Sequence, residues 1–325
     1  VDWYCLISDA TSETVPVNAA FDPMVYRYRN QDIAGIDTMT TADLKAHWLS
    51  EGIKAGRASS VVLDLKYYRE KNTDLQTAYG TDYTKIYNHF VNNGYKEKRK
   101  SSLLFDGAYY CENNKSAVAS YGDNYMKHYL ETGMAQGLKA SLTFDPDYYW
   151  FVRPDVYNEW PGDYVKCAKH YAGYGIKENS VAYDSQNPVI SNVKITNISS
   201  SGYTVTCTVT DNWGVEKVAF PTWTTANGQD DLAADFLNTQ LGTKSGNTYT
   251  FKVKASDHNN EQGEYATHIY AFDLAGNRVS FSSAPLVTVS GSSSGDITVG
   301  GGGTSTAGKI KLISTVGVIS TCIVT

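Results

Sequence analysis

The chain has 325 residues, a formal net charge of -6, five Cys, and 25 Tyr beside only 10 Phe. That length suffices for two or three domains with ordinary cores, and an acidic chain with no basic stretch argues against nucleic acid or an anionic membrane as main partner. Tyrosine at this density supplies rings that bury while their hydroxyls find partners, which suits thin cores and wet surfaces as much as binding sites.

Residues 1–20 come first. Val1 stands where an initiator Met would, and no charged and then apolar leader follows, so the start reads as a mature secreted form or a trimmed chain. Val1 to Ser8, with Trp3 and Cys5, has the composition of a strand, and Thr11 to Ala20 that of a connector.

Residues 21–183 contain one helical unit written four times. Phe21-Asp22, Leu63-Asp64, Phe105-Asp106 and Phe144-Asp145 open the copies, and His47, His89, His128 and His170 recur near their ends at steps of 42, 39 and 42 residues. Such a period is the mark of units that stack to share a core. Each opening Asp predicts a helix N-cap, with Pro23 and Pro146 suited to the first turn. The residue before each cap and Tyr26, Tyr68, Tyr110 or Tyr149 after it have the spacing of a hydrophobic staple. Turns at Asn72 to Asp74 and Arg153 to Asp155 lead on to a longer helix such as Asp82 to Asn92. Gly52, Gly94, Gly133 and Gly175 then fall where a left-handed residue would end it. The four histidines, each followed by an aromatic residue, are expected to be partly buried with a hydrogen-bond partner, because copies one repeat apart are poorly placed to share a metal.

These copies resemble the FDxxYYxxxxPDL…HYxxxGxxEGR repeats of secreted and surface proteins of bacteria. The closest pieces are Phe144 to Tyr149, Arg153-Pro-Asp155, His170-Tyr171 and Gly175 to Glu178, whereas Asp32-Ile-Ala34 lacks the proline and Met134 to Gly137 lacks the charged ending. The resemblance implies an extracellular setting and brings no catalytic residue with it.

From residue 187 to 290 the period becomes two. Tyr203, Val205, Cys207 and Val209 alternate with Thr204, Thr206, Thr208 and Thr210, and strand-like runs follow at 215–220, 248–254, 268–273 and 279–282. With turn clusters between them, these predict an antiparallel Ig-like sandwich lacking the disulfide of antibody domains. The stretch is similar to the GBS Bsp-like repeat, an Ig-like module of Gram-positive surface proteins and cell-wall hydrolases. The resemblance lies in Phe220-Pro-Thr-Trp223, Asn227 to Asp231, Asp257 to Asn260, Thr267 to Tyr270, and Asp273 with Gly276-Asn277. It implies a place at or outside a cell envelope, and a module that accompanies catalytic domains without being one.

Residues 291–308 are mostly Gly, Ser and Thr, the composition of a flexible linker. Residues 309–325 return to strand formers, with Ile310, Leu312, Val316, Val318, Cys322 and Val324 on one face and Ile313, Ile319 and Ile323 on the other. The segment is too short and broken for a membrane helix. A strand apolar on both faces either returns to its own sandwich or adds to an edge on a neighbouring molecule. The odd cysteine count leaves several arrangements open: an interchain bond between Cys5 and Cys322, a Cys5–Cys111 pair, or buried thiols throughout, the state expected of Cys167 and Cys207.

Candidate chemistry is sparse. Asp211, Asp230, Asp231, Asp257 and Asp273 sit in sandwich loops, and oxygen-rich loops can hold calcium, but their contexts are ordinary turn sequences whose side chains cap their own backbone. No nucleophile elbow, catalytic-Cys motif or phosphate loop is present, so no catalytic, cofactor-binding or metal residue is assigned. The expected fold is multidomain α + β: a four-unit α-helical array, an antiparallel Ig-like β-sandwich, and strand-like terminal extensions. Two functional readings follow. One is a non-enzymatic subunit of a bacterial surface filament or layer, a homopolymer joined by strand addition through Trp3, Cys5 and the 309–325 strand. The other is a cell-wall or glycan-binding module using Trp223, Trp150 and Trp160 for stacking on sugars.

Overall fold

The computed structural model describes residues 18–226, 228–282, 286–290 and 296–299. The expectations placed on residues 1–17 and 300–325, and with them Trp3, Cys5, Ile310, Leu312, Val316, Val318, Cys322 and Val324, lie outside the described residues. Two compact units divide the chain, Val1–Tyr183 and Asp184–Thr325.

In the first unit each copy is built on the same local logic. The side chains of Asp22, Asp64, Asp106 and Asp145 accept backbone N–H groups of the first helical turn at 2.9–3.2 Å, satisfying donors that a helix start leaves without partners. The helices they cap are Pro23–Arg29, Leu65–Lys71, Gly107–Asn113 and Pro146–Val152. Asn30, Asn72 and Asn114 close the first three by returning a side-chain N–H to the carbonyl of Tyr26, Tyr68 and Tyr110. A further helix ends each copy: Thr41–His47, Tyr83–His89, Tyr125–His128 and Tyr164–His170. The staple forms as expected, with ring centroids of Phe21 and Tyr26, Phe105 and Tyr110, and Phe144 and Tyr149 at 5.5, 5.7 and 6.1 Å.

The array closes on itself. Lys169 of the fourth copy pairs with Asp22 of the first at 2.7 Å, Tyr174 lies against Tyr28 with centroids 4.3 Å apart, and one buried apolar cluster runs through all four copies. An open solenoid would instead leave its end copies needing polar caps.

The glycine expectation needs correcting. Gly52, Gly94, Gly133 and Gly175 are not left-handed; each ends a five-residue π-helical turn that continues the last helix. Left-handed backbone comes four residues later, at Gly56, Lys98, Gly137 and Asn179. The glycines are required by space, because a Cβ at any of the four would overlap the hydroxyl end of that copy's staple tyrosine, Tyr26, Tyr68, Tyr110 or Tyr149.

The second unit is an antiparallel sandwich. Its larger sheet has the order β11-β1-β2-β6-β5, with β1 Val189–Ser199, β2 Gly202–Thr210, β5 Thr243–Ser245, β6 Thr248–Lys254 and β11 Ile297–Val299. Opposite it are β10-β7-β4 (Val287–Val289, Gly263–Thr267, Thr222–Thr224) and β3-β8-β9 (Val215–Ala219, Ile269–Asp273, Arg278–Phe281). The alternation in β2 buries Tyr203, Val205, Cys207 and Val209, and these pack with Ile195, Phe220, Tyr265 and Ile269 in one core. Within the Gly- and Ser-rich stretch, Ile297–Val299 is a strand paired with residues 193–195 of β1, not linker. The C-terminal side of the sandwich thereby covers one edge of its own larger sheet.

Candidate functional site

The recurring histidines are absorbed by the array. Nδ1 of His47, His89, His128 and His170 meets the staple hydroxyl of Tyr26, Tyr68, Tyr110 and Tyr149 at 2.8, 3.0, 2.7 and 3.0 Å. Burial holds His89, His128 and His170 below the ordinary imidazole pKa and pushes Tyr26 up to about 12, with Tyr68, Tyr110 and Tyr149 raised by the same cause. The result is a hydrogen bond between a buried tyrosine and a buried or half-buried imidazole, repeated in every copy. Arg57 forks onto Asp32 with two contacts of 2.8 Å, and Arg99 meets Asp74 at 2.8 Å. Arg153, standing where the other copies have Asn, takes Asp155 and Glu178 and holds the Asp155 carboxyl down at about 2. These charges serve each other within the array.

The three tryptophans of the glycan reading divide. Trp150 is 8% exposed, stacked on Tyr164 at 4.5 Å and edge-on to Tyr157 at 5.4 Å, so it is core and has no face to offer a sugar. Trp160 is half-buried beside His170 at 5.8 Å, with the Lys166 ammonium over its ring at 5.9 Å. Trp223, on β4, stays partly exposed and edge-on to His268 at 4.7 Å. Next in chain order, β8 turns Ile269, Ala271 and Asp273 inward. Tyr270 and Phe272 therefore stand on its outer side with His268, as the strand period requires. Arg278 lies over Tyr270 at 5.7 Å and Lys217 over Phe272 at 5.0 Å. Trp223, His268, Tyr270 and Phe272 thus form a strip of rings with a cation over each of the last two, and of these only Trp223 was a sequence candidate for stacking.

Two polar centres lie inside the sandwich. His258 Nδ1 meets Asp231 Oδ2 at 2.6 Å, with side chains only 3% and 2% exposed. Both Asp231 oxygens also accept the Thr224 N–H at 3.1 and 3.0 Å, the Thr224 hydroxyl donates to Glu261, and Tyr265 donates to the Glu261 carbonyl at 2.7 Å. This arrangement resembles the base-and-orienter half of a triad, yet among the described residues no Ser, Thr or Cys hydrogen-bonds the imidazole. Its evident work is to tie Asp231, His258 and Glu261 to Thr224 of β4.

The other centre is acidic. One carboxylate oxygen from each of Asp184, Asp211 and Asp273 lies within 4.8 Å of the other two. Asp184, just before β1, and Asp273, at the end of β8, are 5% and 0% exposed. Asp211, in the turn after β2, is half-buried and caps that turn by accepting the N–H groups of Trp213 and Gly214 at 2.9 Å. Burial raises the Asp273 pKa, opposed by the side-chain and backbone N–H groups of Asn277 and reinforced by the charges of Asp211 and Asp184. The sequence pointed to Asp211 and Asp273 among five loop acids; it missed Asp184, and Asp231 proves to belong to the His258 centre.

Cys111, Cys167 and Cys207 are free thiols, while Cys5 and Cys322, on which the proposed pairings rest, lie outside the described residues. Cys167 and Cys207 are buried as expected, and burial pushes the Cys207 thiol up to about 12. Among the described residues no helix is long and apolar enough to cross a membrane. No curated protein matches the chain. Residues 192–285, under a third of its length, match the model of the GBS Bsp-like repeat family, so the likeness lies within the sandwich.

Proposed function

We propose that this chain is a non-catalytic part of a bacterial surface protein whose sandwich binds cell-wall glycan through the strip around Trp223. The observation that carries the reading is the strip itself: rings on the outer side of β8, two of them with Lys217 and Arg278 over them, extended by the partly exposed Trp223 on β4. An exposed aromatic ring such as Trp223 suits the apolar face of a sugar, and the cations over Phe272 and Tyr270 suit its hydroxyls. The family match at residues 192–285 supports a surface location, as does the likeness of the helical copies to repeats of secreted bacterial proteins. The array contributes a body whose histidines, tyrosines and charges are engaged with one another, which is why catalysis is not assigned to it. Co-sedimentation of the full chain with purified peptidoglycan tests this: saturable retention is expected, and a protein that stays wholly in the supernatant contradicts it.

Assembly into a surface polymer is the second reading. It is favoured by β5, whose three residues are exposed at the open edge of the larger sheet, a template to which a strand from another copy can add. The 309–325 segment is the strand it would receive. Sedimentation velocity across a concentration series would then show polymers that vanish when residues 309–325 are deleted; polymers that persist in the truncated chain would refute strand addition.

A further inference from the structure

We propose that Asp184, Asp211 and Asp273 form a binding site for a calcium ion within the sandwich. Three segments distant in sequence supply the carboxylates: the stretch leading into β1, the turn after β2 and the end of β8. Their oxygens lie within 4.8 Å of one another. Two oxygens bound to one Ca²⁺ at about 2.3–2.6 Å can be no more than about 5 Å apart, so all three can reach a common ion. Around Mg²⁺, at about 2.0–2.1 Å, the limit is nearer 4 Å, and that ion would require the cluster to contract.

The second observation is the state of Asp184. The residue is only 5% exposed. Its Oδ1 accepts the Gln186 N–H at 3.0 Å, while its Oδ2 is buried without a hydrogen-bond partner. Oδ2 of Asp211 is likewise buried and unpartnered. A carboxylate oxygen sealed from water with no donor is costly, and two in one cluster are costlier, unless a cation meets them.

The surroundings hold the acids in place rather than neutralising them. Asn277 donates its backbone N–H to Asp273 Oδ1 and its side-chain amide to Asp273 Oδ2, each at 2.8 Å, and that amide also reaches the Asp184 carbonyl at 3.2 Å. Asp211 keeps its orientation through Oδ1, leaving the other oxygen for a ligand. Three carboxylates would provide part of the six to eight oxygens that Ca²⁺ takes, and water the rest. The bound ion would tie the residues before β1 to two loops of the sandwich.

A shared proton is the competing way to quiet such a cluster, and calcium titration at pH 7.5 separates the two. The full chain, stripped with chelator and dialysed, is titrated with CaCl₂ and separately with MgCl₂ in a calorimeter. One saturable Ca²⁺ site is expected, with a Kd of about 10⁻⁴–10⁻³ M, the range of calcium-binding extracellular modules, and Mg²⁺ weaker by about tenfold or more. Asp184→Asn and Asp211→Asn should each weaken Ca²⁺ by about tenfold or more, whereas Asp230→Asn, at an exposed position outside the cluster, should bind as the parent does. Should the cluster variants fail to fold, amide exchange on the parent chain still locates the site: Ca²⁺ must slow exchange around residues 184–186, 211–214 and 273–277. Absence of saturable Ca²⁺ uptake, unchanged affinity in both cluster variants, or Ca²⁺-dependent protection confined to other segments overturns the assignment.

Discussion

The helical array and the sandwich treat their polar residues in opposite ways. In the array the histidine, the staple tyrosine, the aspartate capping the first helix and the π-turn glycine each occur once per copy, and each meets the same kind of partner in each copy. Repetition there serves closure of a common core. In the sandwich the polar centres occur once: Asp231 with His258, the three-aspartate cluster, and the strip beginning at Trp223. A group copied four times for packing leaves little for a ligand, whereas one that breaks the pattern of its fold is where a specific contact belongs. On the proposed reading, ligand recognition belongs to the second unit and the first serves as a body.

The largest effect expected from challenging this contrast is at a π-turn glycine. In Gly94→Ala the new methyl would overlap the Tyr68 hydroxyl and displace it from His89, costing about 2–3 kcal/mol through overpacking and the disturbed hydrogen bond. Gly246→Ala, in the β5–β6 turn, puts a methyl into open space at φ +58 and should cost only about 1 kcal/mol from the left-handed backbone. Urea unfolding read by peptide-resolved amide exchange reports both units in one sample. Equal costs at the two sites would mean that the glycine repeats for backbone reasons after all.

A smaller effect separates the units by pH. Ordinary imidazoles in an unfolded chain titrate near pH 6.5, and burial holds His89, His128 and His170 lower in the folded array. As pH falls through 6.5 toward those lowered values, the unfolded state takes up protons first, so stability falls with acid across that window. In the sandwich His268 is held lower by the same cause, and with one such histidine against three the decline there should be shallower. The same exchange experiment at pH 7.5 and 5.5 checks this; a steeper decline in the sandwich would contradict the account.

Much of the array was legible because its signals are local and repeated four times. Aspartate caps, staple spacing and the histidine period all follow from short-range geometry. The π-turn was not legible, because a glycine kept for the hydroxyl of a tyrosine twenty-odd residues away looks the same as one kept for a left-handed end. Closure of the array was hidden too, since Lys169 and Asp22 carry no sign of each other in sequence. In the sandwich, β2 announced itself by strict alternation, but β1 did not. Its pairing shifts register twice, and Asn192 and Asn197 adopt φ of 51 and 56, which breaks the period of two. Ile297–Val299 was masked by the glycines and serines around it. Asp184 escaped notice because it stands where the repeats end, and only the fold brings it to Asp211 and Asp273. Trp150 misled in the opposite direction: sequence shows a tryptophan, and the packing against Tyr164 and Tyr157 decides that it is core.

The division of labour between the units is tested most directly by co-sedimenting Trp223→Ala and Trp160→Ala versions of the full chain with purified peptidoglycan. Losing one ring from a stacking surface should weaken retention by about tenfold. The account predicts that loss for Trp223→Ala and parental retention for Trp160→Ala. Parental retention of Trp223→Ala, or a greater loss from Trp160→Ala, would place the contact on the array and contradict it.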